Sequence, residues 1–395
     1  MRILHTSDWH IGRTFHGADL LADQRAALAE LATIVAAEAV DVVIVAGDIY
    51  DRAIPSADAV AVCDEAFRAL RRAGALIVVS SGNHDSPTRL GAGAAFSAEG
   101  GLHLRTRPQD CAVPVVLSDE HGPVCIYPLP YLEPETTRDV LGVPQARSHQ
   151  DILAAALGAV RADLEQRRAA DPRTRAVAAV HAFVVGAAAS GSERSIAVGG
   201  VETVSADLLA DFDYVALGHL HSTQEVRPGI WYSGSPLAYS FGERSSDKGV
   251  LLVDLDADGP AVVRRVRLES PRGSTVLTGT LDELLADPAH RAAEERYVSA
   301  ILTDAVRPVD PMRRLKERFP YAVHLEWVDQ RPEQTRSYKE RVTGRSDLDV
   351  MAGFLADVRS PADPAEVDLL EQALRAATSE GDDTALDGLD HLWSA

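Results

Sequence analysis

Five times within its first 221 residues the chain runs through a short apolar stretch that stops at once on Asp, Asn or His. Ile3-Leu4-His5 leads to Asp8 and His10. Val42-Val43-Ile44-Val45-Ala46 gives way to Gly47-Asp48, with Asp51 shortly after. Leu76-Ile77-Val78-Val79-Ser80 precedes Gly82-Asn83-His84-Asp85. Ala176 to Val180 ends on His181, and Tyr214-Val215-Ala216-Leu217 on Gly218-His219-Leu220-His221. Continuous apolar runs of this length read as strands buried on both faces. Helical periodicity fills two of the intervals, Gln24 to Glu38 and about Ser56 to Ala73. Strand and helix in alternation define an α/β domain. In open α/β sheets ligands gather beyond the carboxyl ends of the strands, so these five loops are expected to converge on one site.

Further along, Trp231 to Leu268 is β-rich, which predicts hairpins of a second sheet closing a sandwich. The character changes near Ser270-Pro271-Arg272-Gly273, giving a first domain over residues 1–272. A small α+β unit follows over 273–330, with strands at Tyr297–Thr303 and Ala322–Val328 and a helix at Asp310–Arg318. Residues 331–345 are polar and aperiodic and read as a linker. Residues 346–378 carry two amphipathic helices, and 379–395 an acidic tail. In the first helix Met351, Phe354, Leu355 and Val358 share a face. The second opens on Asp363-Pro364-Ala365-Glu366, an N-cap, a proline at N1 and an acid at N3, and presents Val367, Leu370 and Leu374. A tethered helix pair with an unsatisfied apolar face is expected to dock on another protein.

The formal net charge is −20, and half of that excess lies in residues 346–395, where twelve acidic residues face Arg359 and Arg375. Such a chain does not grip a phosphate backbone by charge alone. Binding nucleic acid would require metal ions, local arginines or a basic partner. Cys63, Cys111 and Cys125 form no C-x-x-C pair and read as packing thiols of a reducing compartment. The opening residues enter a strand pattern without the apolar core of a signal peptide, and the stretch Ala176–Ala189, broken by His181, is too short to cross a bilayer. A cytoplasmic protein is expected.

Taken singly, each fragment is commonplace: Gly-Asp after a strand is a turn, and a lone histidine usually belongs to a core. Taken in order, they supply Asp8, His10, Asp48, Asn83, His181, His219 and His221, the mixed oxygen and nitrogen donors that a pair of divalent cations needs. Asp-x-His and His-x-His place both side chains on one face, because alternate residues of an extended chain point the same way. Glycine before Asp48, Asn83 and His219 permits tight turns and close backbone approach.

This series resembles the calcineurin-like metallophosphoesterases. The opening His5-Thr6-Ser7-Asp8-Trp9-His10-Ile11-Gly12 is similar, more narrowly, to the DNA double-strand-break repair nucleases, as are Val45 to Asp51, Ala216 to His221 and Tyr232-Ser233-Gly234-Ser235-Pro236. The likeness covers Met1 to about Leu268 in residues and the remainder in layout, with no departure at the ligand positions. It implies a four-layer α-β-β-α sandwich with the small capping domain and helix pair appended. It also implies one metal held by Asp8, His10, Asp48 and His221 and another by Asp48, Asn83, His181 and His219, with Asp48 bridging. Manganese suits this donor set, with iron and zinc as alternatives. Asp51 is taken as a group behind the ligands. His84, which the resemblance gives to neither metal, becomes the candidate acid for the leaving sugar oxygen, with Asp85 either orienting its ring or capping the helix before Pro87. Arg52 and Arg89 lie near these loops as candidate DNA contacts. By the same resemblance Met351, Phe354, Leu355, Val367, Leu370 and Leu374 would bind a coiled-coil ATPase partner, and the nuclease chain would be a homodimer within a heterotetramer. A small-molecule phosphodiesterase or nucleotidase of the same superfamily would use the same metals and stays open at this point.

Overall fold

The structure, a computed structural model, describes residues 1–188, 203–243, 248–257, 260–269, 272–328, 342–358 and 361–379. Two six-stranded sheets dominate it. In the first, Arg2–Thr6, Val42–Ala46, Leu76–Ser80 and Leu102–Arg105 run parallel side by side. In the second, Ile230–Tyr232, Tyr214–Gly218, Arg175–His181 and Gly122–Leu129 are parallel neighbours, with Gln224–Arg227 and Val115–Asp119 antiparallel at the two edges. All five apolar runs of the sequence are therefore inner strands, as their lack of alternation requires.

Three apolar layers hold four layers of structure together. Ile3, Val42, Ile44 and Val78 meet Ile126, Val177, Ala179 and Tyr214 between the sheets. Leu4, Val43, Val45, Ile77 and Val79 turn the other way, against Leu28, Leu31 and Val35 of helix Leu21–Ala37 and Val62, Ala66 and Leu70 of helix Ala57–Arg72. Tyr127, Ala176, Ala178, Val215 and Leu217 pack against Ile152, Leu153, Ala156, Leu157 and Val160 of helix His149–Ala170. The α-β-β-α sandwich is the observed fold. That last helix, closed by a Ser148/Asp151 capping box, is not evident in the sequence, because its alanines blur the apolar stripe.

One expectation is corrected. The hairpin Gly249–Asp254 and Val262–Arg267 does not build the second sheet; it extends the first, with Gly249–Asp254 antiparallel to Arg2–Thr6. The strand Gly249–Asp254 is buried almost throughout and needs cover on both faces, while the largely exposed Val262–Arg267, with three arginines, suits an edge.

The chain divides into two compact units, Met1–Thr275 with Glu295–Val298, and Val276–Glu294 with the described residues from Ser299 onward. The second contains most of a three-stranded sheet ordered Ser274–Gly279, Tyr297–Leu302, Ala322–Trp327, the helices Leu281–Ala286 and Pro311–Arg318, and the C-terminal helices Asp347–Val358 and Pro364–Ser379. Glu366 Oε2 accepts from Asp363 N and Asp363 Oδ1 from Glu366 N, the reciprocal cap read from the sequence. On this helix pair Met351, Leu355, Val367, Leu370 and Leu374 are half-buried, whereas Phe354 is 55% and Leu369 66% exposed. Most of the 331–345 linker, the side chain of Val358 and the tail beyond Ser379 lie outside the described residues. All three cysteines are buried free thiols. Among the described residues no helix is long and apolar enough to cross a membrane.

Candidate metal centre

The carboxyl ends of three strands of the first sheet and two of the second meet at one point, and the backbone there is tied across the gap. Asp8 Oδ1 and Oδ2 accept from His219 N at 3.0 and 3.1 Å, and Asp48 Oδ1 accepts from His84 N at 2.9 Å. His181 Nδ1 lies 2.9 Å from Ala46 O. Behind them, buried His5 spans the sheets, its Nδ1 2.8 Å from Tyr214 Oη and its Nε2 3.1 Å from Leu217 O. Close approach explains two glycines. A methyl group at Gly218 would overlap Ala46 O, and one at Gly82 would overlap the Asp48 carboxylate.

Strain marks the same point. Asp8, His10, Asp48 and His219 all adopt left-handed backbone conformations, with φ of +53°, +43°, +51° and +107°. Non-glycine residues hold such conformations only where surrounding structure enforces them, and clustering of that kind accompanies function.

The seven donors named from the sequence come together. Donor atoms of Asp8, His10 and His221 lie within 4.8 Å of one another, as do those of Asp8, Asp48 and His181, and those of His10, Asp48 and His84. His10 Nε2 is 3.0 Å from His221 Nε2, and Asn83 Oδ1 is 3.0 Å from His181 Nε2 and 3.3 Å from His219 Nδ1. Every one except the partly exposed Asn83 is buried. Burial, opposed by the neighbouring histidines, raises the Asp8 carboxyl, and burial holds the His10 imidazole well below its usual value. Against burial, Asp48 draws His181 toward its charged form. A dication in this buried cluster would offset the cost of charging Asp8 and favour neutral, ligating imidazoles, so the donor chemistry fits a metal. His10 Nδ1 is buried without a hydrogen-bond partner and stands 3.9 Å from Asp51 Oδ1. The donor set thus fits divalent metal.

The residues around the donors divide differently from the expectation. His84 packs edge-on against His10, ring centroids 4.6 Å apart, and its Nδ1 lies 2.8 Å from the Asp51 carbonyl. Asp85 does not orient that ring, and Ser86 rather than Asp85 caps the helix Pro87–Leu90. Asp85 instead accepts from the backbone N–H of Ile49, Tyr50 and Gly82 at 3.1, 2.9 and 2.9 Å, pinning the Asp48 loop to the Asn83 loop. A short carboxylate surrounded by three inward-pointing amides is satisfied by them first. Arg52 has a 77% exposed side chain, 3.7 Å from Asp51, and Arg89 is exposed. Arg13, not singled out in the sequence, stacks over Tyr239 at 4.9 Å and stands 3.8 Å from Asp51. Gln24 is equally silent in the sequence: its buried amide donates to His10 O at 2.7 Å and accepts from Gly12 N at 2.9 Å. Nothing local marks a helix-borne glutamine as a brace for a distant loop.

Residues 1–223 match the calcineurin-like phosphoesterase family, and residues 274–359 match the type 5 capsule protein repressor C-terminal domain. The SbcD chain of the nuclease SbcCD from Bacillus subtilis (strain 168) is 36% identical over 341 residues, 82% of this chain and 85% of that protein. Its counterpart from Staphylococcus epidermidis is 29% identical over 327 residues, 82% of this chain and 85% of that protein. The crystal structure of a dimetal phosphatase from Danio rerio is similar at a TM-score of 0.43, with 15% identity over 68% of this chain and 96% of that one. The chain belongs to the calcineurin-like phosphoesterases. Among them it is a member of the SbcD family of nucleases.

Proposed function

We propose that this chain is the nuclease component of an SbcCD-type complex, hydrolysing the phosphodiester backbone of DNA in repair, recombination and replication. The carrying observation is the convergence of Asp8, His10, Asp48, Asn83, His181, His219 and His221 from five strand ends onto one buried, strained point. Asp8, His10, Asp48 and His221 would hold one divalent ion, and Asp48, Asn83, His181 and His219 the other, most suitably manganese. Bound there, the ions supply Lewis acidity toward a phosphoryl oxygen and neutralise its developing charge.

His84 supplies what the ions do not. A carbonyl only accepts, so the Asp51 contact fixes the proton on Nδ1 and leaves Nε2 as the second ring nitrogen at the donor cluster. A proton held there can pass to the departing sugar oxygen. Asp85 acts through the backbone, holding the loops that carry Asp48 and Asn83 in register. Arg13, Arg52 and Arg89, carried on or beside these loops, are the cations offered to the phosphate backbone.

An SbcC-type coiled-coil ATPase docks on the 346–378 helix pair, whose exposed Phe354 and Leu369 support such a contact. It contributes the basic DNA surface that a chain of net charge −20 lacks and gates access with ATP, giving a double-strand exonuclease and a single-strand or hairpin endonuclease. Two copies of the chain form the dimer within a cytoplasmic heterotetramer.

Purified protein with MnCl2 is expected to degrade linear DNA. Intact DNA alongside turnover of a cyclic nucleotide or nucleotide monoester would refute the nuclease reading and establish the small-molecule one.

A further inference from the structure

The turn Ser233-Gly234-Ser235-Pro236, whose sequence resembles the repair nucleases without indicating a role, meets, among the described residues, the donors proposed for one ion. Ser233 Oγ is 2.9 Å from Ser7 Oγ, and Ser7 Oγ donates to Asp8 Oδ2 at 2.5 Å. Ser235 N donates to His221 O at 3.2 Å, and Ser235 Oγ to Leu237 O at 2.7 Å. A methyl group at Gly234 would press on His221 O at 2.8 Å and Thr223 N at 2.9 Å. Beyond the turn, Lys248 Nζ donates to His221 O at 2.8 Å, to Ser235 Oγ at 2.9 Å and to the Glu243 carboxylate. The other Glu243 oxygen, Oε1, faces His221 Nδ1 at 3.7 Å. Glu243 is 2% and Lys248 8% exposed. By contrast, the His181 ring is supported through its Nδ1 by the carbonyl of Ala46.

A buried carboxylate is costly unless it is paired, and burying a lysine beside it doubles the requirement for good geometry. Such a pair set directly behind an imidazole is the arrangement by which outer groups orient a metal-binding histidine and raise its basicity. We propose that the Ser233–Pro236 turn, Glu243 and Lys248 form the support for the Asp8/His10/His221 half of the centre alone. Glu243 is the positioning residue for the His221 ring, and Lys248 is the counter-charge that fixes Glu243 and the His221 backbone. The two ions are therefore held by unlike means, and loss of Glu243 releases one of them.

This rests on the two-ion reading above, and full-length protein separates the two. Metal-free wild type titrated with MnCl2, with free Mn2+ followed by EPR, is expected to bind two ions per chain. Fewer than two would overturn the reading of the centre and this inference with it. With two bound by wild type, Glu243→Gln is expected to keep one ion and bind the other about 10- to 100-fold more weakly. The spectrum of the paired ions should give way to that of a single one, and the metal-free Tm should fall because Lys248 loses its buried counter-charge, so the titration is run where both proteins remain folded. Equal weakening of both ions, or none, overturns the proposal. His221→Asn supplies the second arm: Glu243→Gln should add little in that background, because it acts through the ring, and additive losses overturn it. Should Glu243→Gln fail to fold, Ser233→Ala removes one hydroxyl and is expected to weaken the same single ion; two unaltered ions would count against the proposal equally.

Discussion

His84 Nδ1 sits 2.8 Å from the backbone carbonyl of Asp51, so the loop that carries Asp48 also sets the tautomer and tilt of the candidate acid. Replacing His84 with Gln keeps a polar side chain of similar reach and removes the transferable proton. Cleavage of linear DNA with MnCl2 is expected to fall about 10²- to 10⁴-fold, the usual worth of a positioned acid. Manganese binding per chain should be unchanged. Loss of an ion together with activity would make His84 a ligand instead.

Asp85 carries a different expectation. Its carboxylate satisfies three backbone amides across two loops, so Asp85→Asn substitutes a donor where only acceptors fit. One amide is left facing an NH2 group, at about 1–3 kcal/mol. Urea unfolding should register that loss, and activity should fall with it because Asp48 and Asn83 lose their common anchor. A variant as stable as wild type would show the clamp to be redundant.

Gly218 tests the seam between the sheets. Its α-carbon approaches Ala46 O so closely that a methyl group overlaps it, and the strand pair cannot part without moving His181 and His219. Gly218→Ala is expected to destabilise the fold by about 1–3 kcal/mol, as overpacking does. It should weaken manganese binding at the Asn83/His181/His219 side more than at the Asp8 side. Calorimetry with and without metal reads both effects.

Acid sensitivity should appear far from the metals. Burial raises the Asp119 carboxyl, but hydrogen bonds from the Arg175 guanidinium, from the Met1 ammonium at 2.7 Å and from His121 N at 2.9 Å outweigh it and hold the group well below the usual carboxylate range. A depressed folded pKa stabilises at every pH above the unfolded value of about 3.9 and loses that contribution as pH falls through the folded value. The stability gap between wild type and Asp119→Asn should therefore be widest near neutrality and close below about pH 4. A gap that stays constant across that window would mean that Asp119 acts through shape alone.

What the sequence made legible follows from periodicity and from chemistry that repeats. Buried parallel strands announce themselves as apolar runs, and Asp, Asn and His at their ends stand out because polar residues are rare there; this is why Asp8, Asp48, Asn83, His181 and His219 can be read before any fold is known. Tertiary bracing leaves no such trace. Glu243 and Lys248 reach back to His221, and Gln24 to His10, from separate elements, and Asp85 resembles a helix cap until its three amide partners are seen. The hairpin Gly249–Asp254 goes to the other sheet for a related reason: composition reveals a strand, and only packing decides which sheet receives it.

Helix Asp347–Val358 and helix Pro364–Ser379 contact each other, yet Phe354 and Leu369 remain more than half exposed. An apolar surface of that kind on a pair with its own capping box is worth keeping only if something covers it. Deleting residues 346–395 also removes half of the acidic excess, so the truncated chain should bind DNA no worse on charge grounds. Truncation is expected to abolish co-purification with the coiled-coil ATPase and to leave manganese-dependent cleavage of short DNA intact, since no proposed ligand lies beyond His221. The point variant Phe354→Glu should reproduce the loss of association at unchanged Tm, because an exposed side chain contributes little to folding. Retained association in both would move the contact to another surface, and lost cleavage of short DNA would mean that the helices also serve the metal centre.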